Sequence, residues 1–103
     1  MEDVEKSTPE QDEMQMPLPP ATFEFLVFSL GAQAEMSLGL MHFGPPEEKP
    51  KPDLERARHA IDLLAVIQEK TKGNLSMEEH RLVENTLTEL RFRYVHALEE
   101  SKK

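Results

Sequence analysis

The sequence has no cysteine in 103 residues. That excludes disulfides, a thiol nucleophile and any zinc site built on thiolates. Glycine is scarce: Gly31, Gly39, Gly44 and Gly73 lie too far apart to make a phosphate-cradling loop. Lysine and arginine are missing altogether between Lys6 and Lys49. Residues 1–52 carry ten acidic and three basic residues, and residues 53–103 carry ten and nine. The net charge of −8 therefore divides into −7 and −1. A chain with this balance lacks the cationic face that phosphate neutralisation requires, so nucleic acid is a disfavoured partner. The acidic N-terminus also lacks the positive region of a secretory signal peptide, and cytoplasm is the expected location. Proline is absent beyond Pro52, although eight prolines precede or occupy that position. This change in composition marks the main internal boundary, inside a length that suits one domain.

Four segments follow from these patterns. Residues 1–20 read as a disordered acidic tail. Seven of the first thirteen residues are charged, and Pro9, Pro17, Pro19 and Pro20 oppose regular structure. Residues 21–100 form a single all-helical domain. Its first helix is predicted over 22–43, with Thr22 as N-cap. Two apolar stripes run along this helix. One is Phe23, Leu26 or Val27, Leu30, Ala34, Leu38 and Met41; the other is Phe25, Phe28, Ala32, Met36 and Leu40. Gly31 and Gly39 are read as residues that this helix tolerates, at about 1 kcal/mol each. Residues 44–52, GPPEEKPKP, are a linker of stiff polyproline character.

Residues 53–100 are predicted to form an antiparallel helical hairpin. Asp53 caps its first helix, which shows Leu54, Ala57, Ile61, Leu64, Ala65 and Gln68 on one side. Ala60, Leu63 and Ile67 widen that side. Gly73 ends the helix after Lys70 and Lys72, cations that suit the dipole. Ser76 and Glu79 make a capping box for the second helix. Its stripe is Val83, Leu87, Leu90, Tyr94 and Leu98, joined by Met77 and Val95.

The run IDLLAVIQEKTKGNLSMEEHRLVENTLTELRFRYV at 61–95 resembles a family of short bacterial all-helical proteins known only as a domain of unknown function. The upstream FEFLVFSLGAQAEMSLG at 23–39 is similar to that family's N-terminal segment. The EKTKGNL turn at 69–75 is the most specific element of the resemblance, which spans about residues 22–96. It implies a helical fold and brings no activity, cofactor or catalytic residue.

Residues that could carry chemistry are few. Glu55, His59 and Asp62 share a helix face at metal-ligand spacing, His96 stands near Glu99 and Glu100, and His80 adjoins Glu79. All of them lie off the apolar stripes, so a solvated charged face is the preferred reading and no metal is assigned. Lys70, Lys72, Gly73 and Asn74 precede a helix N-terminus and could attract an anion. Their simpler role is to end one helix and turn the chain. Arg91, Phe92 and Arg93 form a basic-aromatic cluster whose expected partners are carboxylates such as Glu84, Glu89 and Asp62 on the same hairpin. No serine sits in a nucleophile pattern. No catalytic residue, metal ligand or cofactor site is assigned.

One feature points toward function. A surface helix carries one apolar stripe about 100° wide, and the first helix carries two. A hairpin can cover only one side of it. The expected outcome is an oligomeric helical bundle, a homo-oligomer with Phe23, Phe25, Leu26, Phe28, Leu30, Met36 and Leu40 near the interface. Membrane insertion is disfavoured. Nine Leu, Val and Phe residues offer about −4 kcal/mol, which Glu35 alone nearly cancels at about +3. The reading is a non-enzymatic interaction or assembly module whose protein partner is unknown. The alternatives are a helical-bundle binder of metal or small ligand and a peripheral membrane adaptor.

Overall fold

A computed structural model describes residues 17–42 and 44–103 of the chain. The acidic tail expected over 1–20 lies outside the described residues as far as Met16. Among the described residues the protein is all-α. Helix α1 spans Phe23–Ser37, α2 spans Leu54–Lys70 and α3 spans Met77–Ser101.

Each helix starts where a side chain can accept an otherwise unpaired backbone N–H. Thr22 Oγ1 accepts from Phe25 N at 3.0 Å, and Asp53 Oδ1 accepts from Arg56 N at 3.1 Å. At α3 the box closes in both directions. Glu79 N donates to Ser76 Oγ at 3.1 Å, and Ser76 N donates to Glu79 Oε1 at 2.9 Å. Ser76→Ala removes one of these bonds and unties the other. The expected loss is about 1–2 kcal/mol, read from chemical denaturation.

Helix α1 stops at Ser37, six residues before the end read from its apolar period. Gly39 is the reason. It takes φ +80°, and its N–H donates to Met36 O at 3.0 Å while Leu40 N donates to Glu35 O at 2.9 Å. This crossed pair of bonds is the Schellman stop, in which a left-handed residue closes the last turn. Gly39 therefore ends the helix and is not a tolerated interior glycine. A Cβ at this position would also lie 3.1 Å from Pro50 O. Gly39→Ala is expected to cost about 1–2 kcal/mol from the left-handed backbone alone, with crowding added. Thermal denaturation checks this.

The proline segment closes a loop instead of holding the helices apart. Pro45 and Lys49 keep polyproline-like backbone, but Pro46–Glu48 between them make a 3₁₀ turn. Its far end returns to α1, where Asp53 N donates to Ser37 O at 2.6 Å. The C-terminus of α1 thus meets the N-terminus of α2, and the two run antiparallel. Residues 71–76 reverse the chain again, with Gly73 at φ +84°. The result is an up-down-up bundle in which every pair of helices packs together.

The core is Val27 and Ala34 from α1, Ala60, Ile61 and Leu64 from α2, and Val83, Leu87 and Leu90 from α3. Ala57 and Leu38 are buried as well. Gly31 is also buried, and a Cβ on it would stand 3.4 Å from Thr86 Cγ2. That short distance shows how closely α1 approaches α3. Of the residues read as core from periodicity, Met77 and Val95 are exposed, and Leu63 is only partly covered. They lie at the margins of their stripes, beyond the reach of the neighbouring helices.

Candidate functional site

The two stripes of α1 have separate fates. At 100° per residue, Val27, Gly31, Ala34 and Leu38 fall on one side of the helix and are buried. The second stripe faces away from the hairpin. Phe25 is 39% exposed, Phe28 65% and Met36 61%. The Phe25 and Phe28 rings stand side by side on the surface, with centroids 6.3 Å apart. The small residues Gly31 and Ala34 let α1 sit close to its neighbours, and the bulk of the helix is left outside.

The seven residues expected at an interface do not form one group. Phe23 and Leu30 are half-buried and pack against the chain's own core. Leu26 is exposed but lies across Val27 from Phe28, on the other flank of the helix. Phe25, Phe28 and Met36 share the outer face. Leu40 and Met41 join them because the Gly39 turn brings the chain back beside α3. Met41 lines a groove between α1 and α3 together with Phe28, and Leu40 lines a second groove with Phe92.

Phe92 is the main residue that periodicity did not bring into this surface. It is 74% exposed, more than any aromatic side chain of α1. The sequence offered one signal: Phe92 falls between the Val83–Leu87–Leu90–Tyr94 positions and so cannot face the core. Its place in a basic-aromatic cluster drew attention to charge. One of its two cations is bound locally. Arg93 Nη2 donates to Glu89 Oε2 at 2.6 Å and Arg93 Nε to the same atom at 3.2 Å. The hydrogen bond to Glu89 holds the Arg93 guanidinium above its ordinary pKa against the opposing effect of burial, with smaller contributions from the charges of Glu89 and then Glu35.

Several other charged groups pair with residues three or four positions away in sequence. Arg56 meets Asp53, Arg58 meets Asp62 and Lys72 meets Glu69. His80 stands 3.6 Å from Glu84, and His96 stands 3.9 Å from Glu100. Glu55, His59 and Asp62 border one shallow surface depression with Arg58 between them. Among the described residues no three His, Asp or Glu side chains converge as a metal site. At the anion candidate, the Lys72 ammonium lies 3.4 Å from Glu69, and the Glu79 amide at the start of α3 is taken by Ser76.

Helix α1, at 15 residues, is about 22 Å long, short of the 30 Å hydrocarbon layer. Among the described residues no helix is long and apolar enough to cross a membrane. Residues 20–96 match a family described as Domain of unknown function (DUF1844). No curated protein and no solved structure matches the chain.

Proposed function

We propose an assembly role for this chain, which belongs to the DUF1844 family of unknown function: a non-enzymatic module that pairs with further copies of itself through the outer face of α1. One observation carries this reading. Phe25, Phe28 and Met36 stay exposed after the hairpin has taken all the α1 surface it can reach. Phe92, Leu40 and Met41 extend the apolar surface across to α3. Taking a large apolar side chain as about 200 Å², the exposed parts of these six come to about 600 Å². That equals the largest patches of ordinary monomers. It is also most of the roughly 800 Å² that each partner brings to a stable interface. A chain without cysteine suits assembly in the reducing cytoplasm.

A peripheral membrane role fits the same face less well. Interfacial helices carry Lys or Arg along their polar side. Helix α1 has none, and its charged residues are Glu24 and Glu35. Light scattering at micromolar concentration tests the proposal. The expected mass is at least twice the 11.8 kDa of one chain, and a species of 11.8 kDa overturns it.

A further inference from the structure

The groove between α1 and α3 gives the proposed pairing a geometry. It has a volume of about 190 Å³ and a floor of Val27, Gly31 and Leu90, with Phe28, Met41 and Leu82 around its rim. An apolar cavity of about 150 Å³ accepts a benzene ring. The groove thus has room for one phenyl ring, and the missing side chain of Gly31 helps provide it. Among the described residues no aromatic side chain fills it, although the ring of Phe28 stands at its edge.

We infer that Phe28 of one copy seats in the α1–α3 groove of a second copy, reciprocally about a two-fold axis. This rests on the assembly reading above. A two-fold interface requires one surface to hold both a projection and its matching hole. Phe28 and Gly31 meet that requirement. They are three residues apart, about 4.5 Å along the helix axis. An axis passing between them lays each Phe28 over the other copy's Gly31. Ala32, partly exposed beside the groove, brings little bulk, so the two α1 helices can approach closely. The two Phe28 rings then lie near each other across the axis, at distances where aromatic rings attract.

Polar groups stand at one end of this contact. Glu35 and Glu89 line the groove, and Arg93 is hydrogen-bonded to Glu89 and feels the charge of Glu35. The arginine lowers the cost of bringing two acidic copies together at this face. Phe92 lines a different groove, with Leu38, Leu40 and Arg93, and is the rim of the contact, not its centre.

Sedimentation velocity on the full chain and three variants tests the inference, with circular dichroism as the check on folding. Phe28→Ala removes a ring that is already exposed in the single chain, so the bundle survives it. Its dissociation constant is expected to rise at least tenfold. Gly31→Met fills the hole from its floor, where a Cβ meets only Thr86 Cγ2 at 3.4 Å and Leu90 Cδ1 at 4.0 Å. It is expected to weaken pairing to a similar degree while its helical signal is kept. Leu26→Ala, on the other flank, is expected to leave pairing unchanged. If Phe28→Ala and folded Gly31→Met pair as tightly as the parent chain, the reciprocal insertion is wrong and the copies meet elsewhere. Should Gly31→Met lose its helix, Phe28→Ala decides the matter alone. A parent chain of 11.8 kDa overturns the assembly reading itself.

Discussion

Leu64→Ala is expected to cost about 3–5 kcal/mol and to leave much of the chain unfolded at 25 °C. Leu64 has no exposed surface and sits at the middle of α2, where it meets the buried residues of both other helices. Shortening it removes three carbons from water-free packing and leaves a cavity that helices tied at both ends by caps and turns cannot close. The effect is large because the core is small. Bundles of this size rarely have more than about 3–5 kcal/mol to lose. At about 4–8 °C per kcal/mol for a domain of this length, the melting midpoint should fall by more than about 12 °C. Circular dichroism at 222 nm against temperature gives the result. Val66→Ala is the matching control. Val66 lies two residues along the same helix and is about half exposed. Its truncation is expected to stay within about 0.5 kcal/mol of the parent. Equal losses at the two positions would mean that α2 does not face its neighbours as described.

Local features of the fold are legible in the sequence because they depend on a few adjacent residues. Thr22, Asp53 and the Ser76–Glu79 box act over three positions, and each is formed. The same range explains the left-handed turn at Gly73. The end of α1 was also local, yet periodicity hid it. Leu40 and Met41 continue the apolar spacing of the helix, so Gly39 reads as an interruption. The glycine followed directly by a leucine is in fact the Schellman pattern, whose hydrophobic residue after the turn packs back on the structure.

What the sequence could not supply is which stripe of α1 faces inward. Both have helical spacing, and the second holds the larger side chains. Burial of bulk alone would have put Phe25 and Phe28 inside. The bundle turns the helix the other way because Gly31 and Ala34 permit a close approach that aromatic rings would block. Val27, Gly31 and Ala34 are buried as a consequence, and two phenylalanines are left outside. That choice depends on the surface shape of the hairpin, which is set by residues 30 to 60 positions away. The place of Phe92 in this apolar surface is hidden in the sequence for a related reason. Its exposure follows from the α3 stripe, but its position beside Leu40 depends on where the Gly39 turn directs the chain.

A hundredfold rise in protein concentration is expected to raise the melting midpoint by about 5–10 °C. Unfolding of a paired bundle releases two chains, so mass action opposes it more strongly as concentration rises. The balance shifts by RT ln 100, about 2.7 kcal/mol. Two chains unfolding together have the length of a medium-sized domain, for which each kcal/mol moves the midpoint by about 2–4 °C. The sign separates the available pictures. A bundle that folds alone with its outer face in water shows no dependence on concentration. Chains that associate only after unfolding show a midpoint that falls. A rise therefore requires that the folded form, and no other, be the one that pairs. In that case the apolar face of α1 contributes to folding as well as to recognition, since each copy covers what the other's hairpin cannot reach. Phe28→Ala should then lower the midpoint at any given concentration, toward the value set by the three-helix core alone.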